Sequence, residues 1–545
     1  MNVQIEAAKS GVLTMKMNDF YIHSKYDPIK EAEKFIDKNY KVGKTIILYG
    51  YGLGYIVESF KVARKLQEKI IVIDPFQKIE KKNEHNIYYL DSERNTELTN
   101  YLNAILNDND TGNIEIICSP NYRNIDEKKF AEIYEMISNV LKSKIINFNT
   151  IQSMAWPWYE NFLDNMKYTF YDETITSLFN RYTCPVIVVA GGPSLTKQLP
   201  LLKSIKGKCI ILCAGSTIQT LLKHHIEPDY IVNIDGGQKN LLHFEPLQNS
   251  PINYIYGLQS TKGIRENFKG NSFYFSPISD PLSNTFIKNY MPSIRKIEGG
   301  VSVASYTLAI ASYISSGPIA LIGQDLAYTN NSSHADGNVQ QEQKKYVEDH
   351  FYKKVIGYFD DEVFSDATLI SMKDNIEQVI LGINNRKGDC YNCTEGGAKI
   401  NYISQLSFAK FIEQFINDEV EIIKIKETKK ILFSKYKNFL EKSMQSLNKR
   451  KLALKKCINS IEQKTQTNQM LQVELNKCKK LIEELNLLGV VNLIEINMNK
   501  QFKPMIHESI EEQLHIANKK NEYLFKELLI IFEKTEDLFK KQLEK

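Results

Sequence analysis

The chain has 545 residues, 43% of them apolar and 25% charged, which is ample for several packed cores at the usual domain size of about 150 residues. Its 69 lysines and arginines against 65 acids leave a formal charge of +4, so there is no overall polycation to hold a nucleic-acid backbone. No apolar run approaches the roughly 18 to 20 residues that span a bilayer, and the opening MNVQIEAAKS lacks the apolar core of a secretory signal; a cytoplasmic protein with no membrane insertion and no nucleic-acid partner is expected.

From the N-terminus the apolar runs are short and β-rich, end in Gly, Asp or Pro, and alternate with amphipathic segments. They are Thr45 to Tyr49, Ile70 to Ile73, Ile114 to Cys118, Val186 to Ala190, Cys209 to Cys213, Tyr230 to Ile234 and Ile319 to Ile322. The pattern predicts an α/β fold with parallel strands. A largely helical stretch carrying both tryptophans, Trp156 and Trp158, divides the runs into two groups. Fourteen of the 15 prolines lie at or before Pro318, and after Gly397 the only breakers are Gly489 and Pro504. Beyond Gln405 apolar residues such as Tyr436, Leu440, Leu447, Leu471, Leu475 and Ile482 recur at steps near three and four, which predicts a bundle of long antiparallel helices. The expected organisation is a Rossmann-like domain over 1–150, a central α/β domain over 151–404 and a helical domain over 405–545.

The first strand runs into Gly50, Gly52 and Gly54, and Asp74 ends the next one, the outline of a nucleotide-binding turn. The spacing is GxGxG rather than GxGxxG, so the expectation is a scaffold that uses glycines for tight packing and takes no cofactor. The eight cysteines show no disulfide framework, and the one CxxC after residue 300, Cys390 with Cys393, has no second pair and no histidine at ligand spacing.

A stronger signal is PVIVVAGGPSL, from Pro185 to Leu195. A buried strand ends in Gly191 and Gly192, Pro193 suits a helix start, and Ser194 adds a hydroxyl, an arrangement able to cradle a phosphate or a ribose. The next strands end in Ser216 and in Asn233, Asp235 and Gly236. Small and polar residues at successive strand ends mark the ligand edge of an open α/β sheet. Farther on, Gly299 and Gly300 precede a helix with Ser302 in its first turn, and a strand delivers Gln324 and Asp325 to the same edge.

The set AGGPSL, HIEPDYIVNIDGG, GGVSVA, GQDLAYT and TEGGAKI, over roughly residues 150 to 400, resembles the motility accessory factors, the Maf flagellin glycosyltransferases. Some of its elements also resemble bacterial sialyltransferases that use CMP-sialic acid. The resemblance implies a sialyltransferase-like central domain between a Rossmann-like N-terminal domain and a helical C-terminal one. It further implies transfer of a nonulosonic acid, of the pseudaminic or legionaminic type, from its CMP-activated form to Ser or Thr of flagellin. By it, Gly191, Gly192, Pro193, Ser194, Ser216 and Asn233 would hold cytidine and ribose, with Asp235 and Gln324 on the same edge. Gly299, Gly300 and Ser302 would face the phosphate or the sugar carboxylate. Tyr328 stands one place off a tyrosine that helps the leaving phosphate, and Asp325 is carried with it as catalytic.

A CMP leaving group bears a single phosphate diester, so amide and hydroxyl donors could stabilise it without a divalent ion, and no cofactor or metal is expected. The acceptor hydroxyl must lose a proton, and His334 is the candidate base, with Asp336 and His350 as alternatives. Glu395, Gly396 and Gly397 would close the site. The expected partners are flagellin and the CMP-sugar, and a homo-oligomer is compatible with the sequence. Two rival readings stand beside this one. One is an ATP- and magnesium-dependent pterin pyrophosphokinase using Asp229, Asp235 or Asp325, since archaeal enzymes of that kind share the GGPSL and PDYIVNID elements. The other is a non-catalytic flagellin-binding scaffold.

Overall fold

A computed structural model describes residues 1–64, 68–90, 97–106, 113–278, 280, 295–300, 302–329, 332–338, 352–384, 389–422, 433–463, 468–485, 487–502 and 510–544. Val301 and His350 lie outside the described residues. The chain forms two compact units. The first comprises Met1–Ser153, Leu454–Gln466 and Val491–Ile530; the second comprises Met154–Ala453, Thr467–Val490 and Ile531–Lys545.

The first unit opens with an antiparallel sheet of β1 (Val3–Ala7), β2 (Leu13–Met17) and β3 (Phe20–Tyr21). A parallel sheet of β4 (Thr45–Tyr49), β5 (Ile70–Ile73), β6 (Ile87–Leu90) and β7 (Ile114–Cys118) follows, in the order β6-β5-β4-β7. Every residue of β4 and β5 is buried, because both faces of a central parallel strand are covered, and their β-branched side chains suit that position.

The second unit is built on β8 (Glu173–Thr174), β9 (Val186–Val189), β10 (Ile210–Ala214), β11 (Tyr230–Asn233), β12 (Asn253–Gly257), β13 (Ser272–Pro277), β14 (Lys296–Ile297) and β15 (Ile319–Ile322). An antiparallel hairpin, β16 (Tyr352–Ile356) with β17 (Glu362–Asp366), precedes β18 (Cys390–Asn392) and β19 (Ser404–Gln405). The main sheet is parallel, in the order β14-β13-β12-β11-β10-β9-β15-β18-β19, with β8 paired to β13. Strands are laid down outward from β9 to β14, and the chain then returns along the helix Val303–Ile314 to place β15 on the other side of β9. The strand order therefore reverses between β9 and β15, and their C-terminal ends mark the topological switch point, where open α/β sheets carry their crevice.

The α/β class with parallel sheets and C-terminal helices is thus as the sequence predicts, and the seven predicted strands stand within a residue of their expected bounds. The pattern misses the short and edge strands β1 to β3, β6, β8, β14 and β16 to β19, and also β12 and β13, whose tyrosines and phenylalanines replace a plain aliphatic run; Tyr254 stacks on Phe268 at 4.3 Å and on Tyr256 at 5.2 Å. The C-terminal helices are Phe433–Glu462, Asn468–Glu484, Leu488–Gln501 and Ile510–Leu543, and their residues are divided between the two units. In the second unit Arg450 pairs with Glu474 at 2.5 Å and Lys451 with Glu536. Among the described residues no helix is long and apolar enough to cross a membrane.

Candidate functional site

The two glycine-rich turns have different surroundings. In the first unit, the turn after β4 is filled by the protein itself. Asp74 is fully buried and accepts the Tyr51 N–H at 2.9 Å and the Tyr122 hydroxyl at 2.6 Å. The Gly52 N–H donates to Tyr122 Oη at 2.7 Å and the Leu53 N–H to His23 Nε2 at 2.8 Å. A side chain on Gly52 would run into the His23 ring, so glycine is required there by close approach. Amides that would meet a phosphate are bonded to side chains, which gives the turn a packing role.

In the second unit, the turn Gly191–Ser194 lies at the switch point. The Gly192 N–H donates to the Gly323 carbonyl at 2.7 Å, tying the end of β9 to the end of β15. Ser194 donates its N–H to both carboxylate oxygens of Asp325 at 3.2 Å and its hydroxyl to Oδ1 at 2.6 Å. Thr329 Oγ1 adds a bond to Oδ2 at 2.8 Å. Burial pushes the Asp325 carboxyl above the usual Asp range, while these donors pull the other way. Gly192 is pressed against Asp325 and the Gly323 carbonyl, leaving no room for a Cβ.

A third wall comes from the segment after β18. The Gln324 N–H donates to Thr394 Oγ1 at 3.2 Å, and the Ala398 N–H donates to the Asp325 carbonyl at 2.7 Å. Lys197 donates to the Glu395 carbonyl, and Gln198 to those of Cys393 and Thr394. Glu395 takes a left-handed backbone, φ +54°, and uses its carboxylate to accept the Phe408 N–H at 3.1 Å. Gly396 sits against Ser194, where an added Cβ would be 3.2 Å from the serine Cβ.

The fourth wall carries His334. The Ala335 N–H donates to the Gly191 carbonyl at 2.9 Å, and Asn338 Nδ2 donates to the Ser216 carbonyl at 3.1 Å, so residues 332–338 lie across the turn and the end of β10. The His334 Nδ1 is 2.8 Å from Ser333 Oγ. Asp336 pairs with Lys223 at 3.0 Å, and that hydrogen bond holds its carboxyl below the usual range.

The structure thus brings together Gly191, Gly192, Pro193, Ser194, Ser216, Gln324, Asp325, His334, Glu395 and Gly396. It does not bring Tyr328, Asn233 or Ser302 to them. Leu326 adopts φ +53°, and beyond that bend Tyr328 directs its hydroxyl to Asp366 at 2.9 Å, where burial raises its pKa. Asn233 is fully buried, bonded to Tyr254 Oη and Asn240 Nδ2 at 3.0 Å, and shapes the turn by accepting the Asp235 N–H at 3.1 Å. Asp235 is exposed and accepts the Gly237 N–H at 2.8 Å. Ser302 is spent on the helix it begins: its hydroxyl accepts the Ser305 N–H at 3.1 Å in a capping box. Gly299 packs on Tyr306, and Gly300 faces Asn375 beside a cavity of about 560 Å³ lined by Arg295, Glu298 and Tyr313.

Sequence reasoning missed Asn338, and named Thr217 and Thr394 only as members of a strand end and of the TEGGAKI motif, with no role for either. Thr217 is fully buried behind Gly191, and its hydroxyl has no hydrogen-bond partner among the described residues. Cys390 and Cys393 are buried at β18, and burial pushes the Cys390 thiol up to about 12, the state of an inert core cysteine.

The C-terminal ends of β9 and β15, walled by small and hydroxyl-bearing residues, stand where open α/β sheets take their ligands. Residues 160–331 match the family described as 6-hydroxymethylpterin diphosphokinase MptE-like. The solved structure of a Maf glycosyltransferase from Magnetospirillum magneticum AMB-1 superimposes with a TM-score of 0.63 at 12% identity, covering 99% of this chain and 93% of that one. No curated protein sequence matches. The resemblance to the Maf family therefore extends, as a fold, from residues 150 to 400 to almost the whole chain.

Proposed function

We propose that the protein is a glycosyltransferase that moves a nonulosonic acid, of the pseudaminic or legionaminic type, from its CMP-activated form to Ser or Thr of flagellin. The observation that carries this reading is the fold shared with a Maf glycosyltransferase over 99% of the chain, with a walled crevice at the switch point of its central sheet. The Gly192 and Ser194 amides are already bonded to Gly323 and Asp325. A phosphate placed there would meet a buried carboxylate. An uncharged nucleoside suits the crevice better, with the phosphate diester directed away from Asp325.

In the proposed step the acceptor oxygen forms a bond to the anomeric carbon as the bond from that carbon to the phosphate oxygen breaks. CMP leaves with the bonding pair, and the acceptor proton passes to His334. With Nδ1–H donating to the Ser333 hydroxyl oxygen, the neutral ring keeps its lone pair on Nε2, and that atom takes the proton. Asp336 is the weaker candidate, because a carboxylate held by Lys223 has little affinity for a proton. No divalent ion enters this step.

The pyrophosphokinase reading is supported by the match over residues 160–331. It needs acids that converge on a metal, and the three at hand are apart in role and place. Asp229 precedes β11, accepts the Ile211 N–H at 2.8 Å and pairs with Lys206 at 2.5 Å; Asp235 lies beyond the other end of that strand; Asp325 is buried under Ser194 and Thr329. The deciding experiment incubates the purified chain with a CMP-nonulosonic acid and flagellin, or with ATP, magnesium and hydroxymethylpterin, and follows CMP or AMP release. CMP release that depends on flagellin is expected; AMP release with the pterin would favour the rival.

A further inference from the structure

The strand β1, VQIEA, is exposed along its whole length and, among the described residues, pairs only with β2. Its apolar face is out of keeping with its neighbour. Val3 and Ile5 are opposite Met17 and Met15, which are 0% and 3% exposed, yet Val3 and Ile5 are 43% and 54% exposed, with Leu13 at 52% beside Ala7. The apolar row that begins in the core of the first unit therefore continues past it onto an open edge. The backbone shows which groups that edge offers. The Asn18 N–H donates to the Asn2 carbonyl and the Ala8 N–H to the Val12 carbonyl, both at 2.8 Å, so even-numbered residues bond to β2. By the alternation of an antiparallel ladder, Val3, Ile5 and Ala7 turn their N–H and C=O groups outward. The usual guards of an edge strand, lysine or proline, are missing from VQIEA, and its one charge, Glu6, is held by the Tyr21 hydroxyl at 2.7 Å.

We infer that β1 is a self-association edge, which pairs antiparallel with β1 of a second copy across a twofold axis at Ile5. The occupant is set by register. With Ile5 opposite Ile5 of the second copy, Val3 faces Ala7 and Gln4 faces Glu6, so no like charges meet and a continuous apolar row runs from Met15 through both Ile5 side chains to the second Met15. The three residues whose backbone groups point outward are the three that this register bonds. A register shifted by two residues along each strand would leave one of those three groups unpaired and offset the apolar rows.

Sedimentation velocity on the full chain, from about 1 to about 100 µM, tests this, since a contact confined to a strand edge and its apolar row associates weakly. A dimer fraction that rises with concentration is expected. Ile5→Lys, which sets two ammonium groups on the axis, should leave a monomer with unchanged circular dichroism. Gln4→Glu, facing Glu6 twice by symmetry, should weaken the dimer by roughly 2- to 30-fold, and Gln4→Lys should strengthen it over a similar range. These positions are exposed, so folding does not depend on them. A monomer at every concentration would leave the edge to a strand of some other protein and overturn the inference. So would a dimer whose association is indifferent to the charge at position 4 and to Ile5→Lys.

Discussion

Ser194 and Asp325, 131 residues apart in sequence, are joined by three hydrogen bonds, two from the serine N–H at 3.2 Å and one from its hydroxyl at 2.6 Å. The pair ties the loop leaving β9 to the loop leaving β15 where the strand order of the sheet reverses. Asp325→Ala would strand the Ser194 N–H and hydroxyl in a buried place, at a cost of about 1–3 kcal/mol for each unsatisfied group, and would free the half-buried Thr329 hydroxyl. A fall of several degrees in Tm is expected for that variant, and a smaller one for Asp325→Asn, which keeps an acceptor oxygen. Equal melting of Asp325→Ala and the parent chain would show that the tie does not hold the crevice.

The two glycines of the turn should respond differently to substitution. At Gly192 even a methyl group collides with Asp325 and with the Gly323 backbone, so Gly192→Ala is expected to cost about 1–3 kcal/mol of stability. At Gly191 the same methyl stands 3.0 Å from Asn338 Nδ2 and 3.3 Å from Thr217 Oγ1, a tight fit that small side-chain shifts relieve. Gly191→Ala should therefore fold and bind CMP at least about 10-fold more weakly, because a close backbone approach is lost. Calorimetry with CMP on the folded variant reads this directly.

His334→Ala should lower transfer by about 10²- to 10⁴-fold and leave CMP affinity within about twofold, as for loss of a general base. Asp336→Asn should change transfer little, because its carboxylate is already committed to Lys223. The reverse ranking would move the base to Asp336. Transfer abolished by a chelator and restored by magnesium would contradict the metal-free step.

The first unit should show its own pH dependence through His23. Burial pushes this imidazole down to about 4, and its Nε2 accepts the Leu53 N–H, which requires the neutral ring. The folded state thus binds fewer protons than the unfolded one between pH 4 and 6.5. Stability is complete above about pH 6.5 and lost as pH falls toward 4, by about 3 kcal/mol at most. Unfolding followed by tyrosine fluorescence should show that slope, and His23→Gln, which keeps an acceptor without titrating, should flatten it.

If the C-terminal helices recognise flagellin, the contact should involve apolar residues they leave exposed. On the helix Asn468–Glu484, Met470 and Val473 lie one turn apart and are about half exposed. Replacing both with glutamate is expected to spare CMP binding and slow flagellin modification. Deleting the helices is a poorer test, because it would strip Tyr436 from buried Phe170 and the Leu485 carbonyl from the buried Tyr159 hydroxyl. An unchanged rate of modification would place the acceptor contact elsewhere.

Much of the site was legible in the sequence because strand ends are. Gly191 to Ser194 and Gln324 with Asp325 each follow a short apolar run, Glu395 with Gly396 was named through the TEGGAKI motif, and the parallel sheet brings the three to one edge. What escaped depends on where side chains turn after the strand. Tyr328 follows a left-handed Leu326, Asn233 is used up by Tyr254 and Asn240, and Ser302 caps its own helix. Asn338 carried no signal, since it meets Gly191 only through tertiary packing. The fold was readable wherever aliphatic runs marked a strand, and was lost at the aromatic strands β12 and β13, at β1, β2, β6 and β16 to β18, and at the two-residue strands.

The central claim is most directly tested by the intact mass of flagellin after incubation with the purified chain and a CMP-nonulosonic acid. Mass increments of whole nonulosonic acid residues on Ser or Thr are expected, one CMP released for each, in the presence of chelator and about 10²- to 10⁴-fold more slowly with His334→Ala. Unmodified flagellin, together with ATP-dependent diphosphorylation of hydroxymethylpterin by the same preparation, would contradict it.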